Sequence, residues 1–154
     1  MALATISFGV LAALSSVGAI TDIVTRKLPN ILSLVLVLAG LGFALAIGGW
    51  AALGWHALHV VVAFVIGYFM FVWNIFGAGD GKFYAGSAAF FPIMDAPALA
   101  LCIVLAGGVL ALFWFTLKRF IKGMKRRKDD FAKLPYGVAI AVGSVGYAAL
   151  TTLG

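Results

Sequence analysis

The sequence predicts an all-α polytopic membrane protein: a bundle of six transmembrane helices, with both termini on the non-cytoplasmic side. The composition predicts the membrane class, because 64% of the residues are hydrophobic, only 10% are charged and the mean hydropathy is +1.15. In soluble domains about a quarter of the residues are charged. At roughly 20 residues for each helical crossing, a chain of 154 residues allows several crossings and leaves no length for a soluble domain. We therefore expect one integral-membrane domain over residues 1–154.

Charged residues and turn residues divide the chain into six apolar segments. Their expected bounds are residues 2–21, 31–47, 55–76, 83–94, 98–117 and 135–153. The first segment is interpreted as a retained helix, because no Lys or Arg precedes it and no convincing cleavage site follows it. No charged residue occurs between Asn30 and Gly79. This stretch is too long for one crossing, so the turn is placed in residues 48–55, which are rich in Gly and Trp.

The remaining segments are bounded by different signals. The fourth is short for a crossing and stops at Asp95-Ala96-Pro97, which is consistent with water or a cavity near Asp80. The fifth ends where the basic loop 118–133 begins. The sixth starts at Pro135, because the missing N–H of proline costs nothing in the first turn of a helix. Pro29 is expected to start the second helix for the same reason.

The positive charges predict the orientation, because Lys and Arg collect in cytoplasmic loops. Arg26 and Lys27 lie between the first two segments, Lys82 lies between the third and fourth, and the other eight lie between the fifth and sixth. All eleven therefore fall in alternate loops. Six crossings with both termini outside place every one of them on the cytoplasmic side, together with Asp22 and Asp80.

Two aspartates stand at the ends of uncharged stretches. Asp22 follows the stretch from Met1 to Thr21, and Asp80 follows the stretch that ends at Gly79. The chain has five acidic residues and no glutamate. Ionisable side chains at or near bilayer depth are costly and usually functional. These two carboxylates are therefore interpreted as a pair.

A carboxylate pair is suited to aspartic-protease chemistry. Two carboxylates that share a site do not both ionise readily, so one keeps its proton. The ionised member takes a proton from water as the water attacks an amide carbonyl, while the protonated member donates to the carbonyl oxygen and later to the leaving nitrogen. Lys82 has two interpretations: it biases the pair toward ionisation, or it anchors a helix end at the water interface.

Three motifs resemble those of the type IV prepilin peptidases, a family of aspartic intramembrane proteases. Residues 22–30, Asp-Ile-Val-Thr-Arg-Lys-Leu-Pro-Asn, are similar to the first aspartate motif of the family. Residues 77–82, Gly-Ala-Gly-Asp-Gly-Lys, resemble its Gly-x-Gly-Asp motif, and residues 134–140, Leu-Pro-Tyr-Gly-Val-Ala-Ile, resemble a segment that opens the last helix. The motifs follow the order of the family. Leu28 stands where the family often has isoleucine, which is a conservative departure.

The resemblance implies an aspartic endopeptidase with Asp22 and Asp80 as its catalytic pair. It implies supporting roles for the other motif residues: Arg26, Pro29, Asn30, Gly77, Gly79, Lys82, Pro135, Tyr136 and Gly137. The implied substrates are prepilins or pseudopilins, whose short basic leader is removed at the cytoplasmic face of the bacterial inner membrane. The pilus-assembly machinery is a further implied partner, and no cofactor or metal is expected.

The small size resembles the short form of the family that is associated with Flp or Tad pili. The longer, bifunctional members carry an extra cytoplasmic domain with paired Cys-x-x-Cys motifs and methylate the new N-terminus. This chain has one cysteine, Cys102, which is interpreted as a small buried or lipid-facing residue. N-methyltransferase activity is therefore not implied.

Three other features receive structural interpretations. His56 and His59 are expected to be interfacial polar residues, because two ligands do not make a metal site. The basic loop 118–133 is expected to lie on anionic lipid headgroups, and no nucleic-acid partner is expected because no soluble fold accompanies it. Close helix packing in lipid is expected at three glycines of the last segment: Gly137, Gly143 and Gly146.

Two other functions compete with the peptidase hypothesis. In a small transporter or ion-conducting subunit, Asp22 and Asp80 would bind a proton or cation. The sequence places no acid at mid-membrane and shows no inverted repeat, which are features that such proteins often have. In a non-catalytic assembly protein of a secretion machine, both aspartates would be dispensable.

Overall fold

The computed structural model describes residues 2–75, 77–120 and 134–153, and these residues form helices without any strand. Five α-helices follow one another, with a short 3-10 turn, Ile93–Asp95, before the fourth. They are α1 (Ala2–Thr25), α2 (Asn30–Val72), α3 (Ala78–Ala88), α4 (Ala96–Phe120) and α5 (Tyr136–Leu153). The all-α prediction is confirmed for this part of the chain. Most of the predicted basic loop lies outside the described residues.

Three helical stretches in the described ranges are long and apolar enough to cross a membrane. They are Ala2–Thr25, Asn30–Val72 and Ile93–Leu117. The apolar part of α5 is shorter, and α3 has only 11 residues. The membrane class is therefore supported, whereas six crossings and the orientation of the termini stay predictions.

The predicted turn near residue 48 lies inside α2. Gly49 leaves the helical conformation, with φ 67° and ψ −159°, in the left-handed region that glycine adopts at little cost. Val37 and Val60, from the two sides of Gly49, line one cavity. We therefore describe α2 as two antiparallel limbs, α2a (residues 30–48) and α2b (residues 50–72). The turn is tighter than predicted, because the helix resumes directly after Gly49 and not at residue 55.

The helix ends beside the two aspartates also differ from the predicted bounds. α1 continues one turn beyond Thr21, and α3 begins before Asp80 and not at residue 83. The hydroxyls of Thr21 and Thr25 donate to carbonyls of their own helix, at 2.9 and 2.8 Å, so polar residues remain helical there. Asp22 thus lies in the last turn of α1, and Asp80 lies in the first turn of α3.

The interior of the bundle draws one fully buried large side chain from each helix. These residues are Leu11, Leu36, Phe83, Leu99 and Ile140. Large apolar residues also cover the outside: Val104, Leu112 and Leu150 are about 70% exposed. An apolar surface of this kind is suited to contact with lipid tails rather than water.

Small residues bring α3 and α5 close to their neighbours. A Cβ atom on Gly67 of α2b would lie 2.8 Å from the Cα atom of Gly81 in α3, and one on Gly143 would lie 2.5 Å from the Cα atom of Ile103 in α4. Such contacts let helix backbones approach closely in a membrane. The predicted packing role is confirmed for Gly143 and is wrong for Gly146, where an added Cβ atom would meet no atom of another helix within 4 Å.

The two histidines of α2b hold the far end of α3. Nδ1 of His56 lies 2.8 Å from the carbonyl oxygen of Ala89, and Nδ1 of His59 lies 2.9 Å from that of Phe91. Both carbonyls follow the last residue of α3, where helix carbonyls lack partners within the helix. His59 is completely buried, so the prediction of an interfacial side chain is wrong for this residue.

We expect His59→Leu to destabilise the protein by about 1–3 kcal/mol, because it leaves the buried Phe91 carbonyl without a donor. His59→Asn is the matched control, since its amide N–H can replace Nδ1–H, and it should lose less stability. Thermal unfolding of both variants in the same detergent measures the difference. Equal unfolding midpoints for the two variants would contradict this role.

Candidate active site

Asp22 is a buried carboxylate that contacts the start of a distant helix. Its side chain is 6% exposed, and Oδ2 accepts a hydrogen bond of 2.8 Å from the backbone N–H of Gly137. The last turn of α1 is an unfavourable place for a negative charge, but the first turn of α5 offers free N–H groups and the positive end of a helix dipole. The hydrogen bond to α5 therefore offsets the unfavourable interaction between the Asp22 carboxylate and the C-terminal end of α1.

Gly137 is required by this contact. A Cβ atom at this position would lie 2.8 Å from Oδ2 of Asp22 and 3.0 Å from its Cβ and Cγ atoms. The sequence predicted close helix packing in lipid for Gly137, and the family resemblance implied a supporting role at the site. Neither identified its hydrogen bond to Asp22.

Asp80 caps the helix that carries it. It is the third residue of α3, and its Oδ2 accepts a hydrogen bond of 2.9 Å from the backbone N–H of Gly77. This is the carboxylate half of a capping box, in which an acid in the first turn reaches back to the N-cap N–H. Gly79 lies against the first motif, because a Cβ atom there would be 3.2 Å from Cβ of Leu28.

Both aspartates line the same cavity, which has a volume of about 840 Å³. The cavity lies among the ends of α1, α2b, α3 and α5. It gathers most of the motif residues predicted to support the site: Arg26, Asn30, Gly77, Gly79, Lys82 and Tyr136. Residues from all three motifs, which are distant in sequence, therefore meet around one space.

The two prolines act outside the cavity lining. Pro29 immediately precedes α2, and its carbonyl accepts the N–H of Leu32 at 3.1 Å. Pro135 immediately precedes α5, and its carbonyl accepts the N–H of Val138 at 3.2 Å. The prediction that both prolines start helices is confirmed.

The two carboxylates are electrostatically linked. Burial raises the pKa of the Asp80 carboxyl to about 6, the Gly77 N–H opposes this shift, and the charge of Asp22 raises the pKa further. A neighbouring carboxylate raises the pKa of an acid in this way, because two negative charges in one site repel each other. The Asp80 carboxyl therefore keeps its proton to a higher pH than an ordinary aspartate does, up to about pH 6.

Two strained residues border the cavity. Arg26 and Asn74 are the non-glycine residues with positive φ in the described ranges, at 56° and 59°, and both line the cavity. Left-handed conformations are costly for most L-residues and cluster at functional sites. The N–H of Arg26 donates to the Asp22 carbonyl at 3.1 Å, and its guanidinium carbon lies 5.1 Å from the centre of the Trp114 ring.

Asn74 was not predicted from the sequence, although asparagine is one of the residues that commonly end a helix in the left-handed conformation. The N–H of Asn74 donates to Phe71 and that of Ile75 donates to Met70, both at 2.9 Å. This is a Schellman motif, which ends helices at a left-handed glycine or asparagine. Phe71 and Ile75 also line the cavity, but nothing distinguishes them in sequence from lipid-facing residues.

Lys82 anchors α3 to the start of α2a. Its Nζ atom donates to Oδ1 of Asn30 at 3.0 Å. Lys82 is not among the groups that shift the pKa of Asp80. Of the two interpretations from the sequence, the geometry therefore favours the anchor.

The arrangement places two carboxyl groups beside a cavity of about 840 Å³. Among the described residues, no three His, Cys, Asp or Glu side chains are grouped so that they could hold a metal ion. The two carboxyls are able to exchange protons with a molecule bound in this cavity.

The chain is similar to a known family of proteins. A family model described as the type IV leader peptidase family matches residues 9–115, which include both aspartates and the first two motifs. The third motif lies beyond the matched residues. No curated protein and no solved structure matches the chain.

We expect the Asp80 carboxyl to lose its proton with a midpoint near pH 6. Because the charge of Asp22 raises this pKa, Asp22→Asn should move the midpoint to lower pH, whereas Asp95→Asn should not. Infrared difference spectra of protein with ¹³C-labelled aspartate, assigned with Asp80→Asn, measure the protonated carboxyl directly. An unchanged midpoint in Asp22→Asn would show that the two carboxylates do not interact.

Proposed function

Because this chain belongs to the type IV leader peptidase family, we propose that it is an aspartic endopeptidase that removes the leader from type IV prepilins or pseudopilins. The family resemblance seen in the sequence is confirmed by the match. Membership supports peptidase activity. The aspartic mechanism, the catalytic pair and the substrate are the parts that we propose.

One observation carries the mechanism: Asp22 and Asp80 come from different helices and line one cavity, and the charge of Asp22 raises the pKa of Asp80. Asp80 has its pKa raised to about 6, so we assign it the proton. Asp22 accepts a hydrogen bond from the start of α5, which suits an ionised carboxylate. We therefore assign Asp22 as the general base.

In the proposed reaction, Asp22 takes a proton from water as the water oxygen attacks the scissile carbonyl, and Asp80 donates its proton to the carbonyl oxygen. The tetrahedral intermediate then collapses. The proton on Asp22 passes to the leaving nitrogen, and the hydroxyl proton of the intermediate returns to Asp80. Water is consumed, the amide bond breaks and both carboxyls recover their starting states.

Family membership and the distribution of charge support the substrate and the location that we propose. We propose that the basic leader of Flp-type prepilins is cut at the cytoplasmic face of the bacterial inner membrane, where the positive residues place both aspartates. The basic loop 118–133 would contact anionic lipids there. Any pilus-assembly machinery that receives the processed pilin is a partner in this proposal.

We expect Asp22→Asn and Asp80→Asn each to reduce leader removal by about 100-fold or more, because each removes one partner of the proton transfer. Asp95→Asn is the matched control: this residue lies at the opposite end of α3 and should leave cleavage unchanged. Membranes that contain each variant are incubated with a prepilin, and cleavage is followed by its mobility shift. Cleavage at a near wild-type rate by either Asp22→Asn or Asp80→Asn would rule out the aspartic mechanism.

We expect Gly137→Ala to lower the cleavage rate by roughly 10- to 100-fold, because its Cβ displaces the Asp22 carboxylate and small misplacements are costly in catalysis. Gly146→Ala is the control on the same helix, where the added Cβ meets no atom within 4 Å. The same mobility-shift assay compares them at equal protein levels. Equal rates for the two variants would show that the contact with Gly137 is dispensable.

We propose that the protein cuts without methylating, since the sequence shows no methyl-donor or metal motif. A pilin co-expressed with this protein alone should lose its leader and carry a free N-terminus. Intact-mass analysis of the processed pilin tests this. An additional methyl group that depends on this protein, and that is absent with another peptidase, would contradict the proposal.

A further inference from the structure

A second cavity, of about 350 Å³, lies between the two limbs of α2. Its walls are apolar along most of their length: Val37 comes from α2a, and Val61, Phe64 and Val65 come from α2b. Ala85 of α3 forms its floor and is 3% exposed. We call this cavity the α2 groove.

The α2 groove adjoins the cavity of the aspartates. Asn30 and Lys82 line both spaces, and the hydrogen bond of 3.0 Å between their side chains marks the boundary. Lys82 is two residues after Asp80 on α3. Anything that passes from the groove across this pair therefore enters the cavity that Asp80 lines.

The groove also opens to the outside of the bundle. Val61 is 59% exposed, Phe64 is 51% exposed and Val65 is 46% exposed, although all three line the groove. In a membrane this apolar outer surface faces lipid. A chain segment that already lies in the bilayer can therefore reach the groove sideways, without passing through water.

We propose that the α2 groove binds an apolar segment of the substrate, next to the scissile amide. This proposal rests on the proposed function and adds the position of the substrate. The apolar segment lies between α2a and α2b, and the chain then crosses the Asn30–Lys82 pair into the cavity of Asp22 and Asp80. A substrate carbonyl at the crossing accepts a hydrogen bond from Nζ of Lys82, which has donors beyond the one given to Asn30.

Continuity between the two spaces favours a peptide over a lipid tail. The apolar walls alone are sufficient to bind a lipid tail, and crossing a hydrogen-bonded polar pair would add no favourable contact for the tail. A substrate needs both spaces, because its amide must reach the carboxylates while its apolar flank remains out of water. The groove and the aspartate cavity together satisfy both requirements.

Site-specific photocrosslinking tests this position. A benzophenone amino acid is placed at Val65 in full-length protein that carries Asp80→Asn to retain the substrate, in membranes that contain a prepilin. Val104 of α4, which is 68% exposed and does not line the groove, is the matched control. Crosslinks to prepilin from position 65 but not from position 104 support the proposal. Crosslinks to lipid alone, or equal prepilin crosslinks from both positions, overturn it.

Steady-state kinetics provide a second readout in the active protein. Val61→Trp narrows the groove from its exposed rim, and we expect it to raise KM about ten-fold while kcat stays within about two-fold, because apolar contact with the substrate is lost away from the reacting atoms. Val104→Trp adds the same bulk to an exposed valine outside the groove and should change neither constant. An unchanged KM in Val61→Trp would overturn the proposal.

Rejection of the groove as the binding site is distinguishable from rejection of the proposed peptidase function. Leader removal by the wild-type protein is scored in parallel, in membranes that contain the same prepilin. No leader removal, with the prepilin present, would reject the peptidase function itself. Leader removal without crosslinks from position 65 would reject only the groove as the site of the apolar segment.

Discussion

A carboxylate inside an apolar bundle needs hydrogen-bond donors, and this requirement organises the structure around the site. A buried charge without such partners is expensive, and most backbone N–H groups of a helix are already used. The free donors are at helix starts. Asp22 reaches the start of α5 through Gly137, and Asp80 reaches the start of its own helix through Gly77. The contact through Gly137 joins α1 to α5, and the contact through Gly77 holds the Asp80 carboxylate at the start of α3.

The position of Asp80 depends on packing contacts of the short helix α3 that involve neither aspartate. It is too short to cross a membrane alone, so neighbouring helices must hold it. Gly81 of α3 packs against Gly67 of α2b with no room for a Cβ atom between the two backbones. Beyond the other end of α3, His56 and His59 lie within hydrogen-bond distance of backbone carbonyl oxygens. Residues far from the cavity therefore determine where Asp80 lies.

The ends of several helices meet on one side of the bundle, and this arrangement gives the site its different surfaces. Left-handed residues end α1 and α2b beside the cavity. On the adjoining side, the antiparallel limbs of α2 leave an apolar groove. A polar space for an amide and an apolar space for its flank thus lie next to each other, with Asn30 and Lys82 between them. This combination suits an enzyme whose substrate resides in the membrane.

The sequence by itself determined the membrane class, the two aspartates, the prolines that start helices and the region of the turn at Gly49. These features are readable because the cost of charge in lipid and the backbone limits of proline and glycine act locally. Only the tertiary structure decided that Gly137 binds Asp22, 115 positions away, that His59 is buried against Phe91, and that α3 starts before Asp80. The physical reason is that apolar helices offer many equivalent faces to their neighbours. Composition and spacing do not specify which helix start meets which carboxylate, and packing of the whole bundle does.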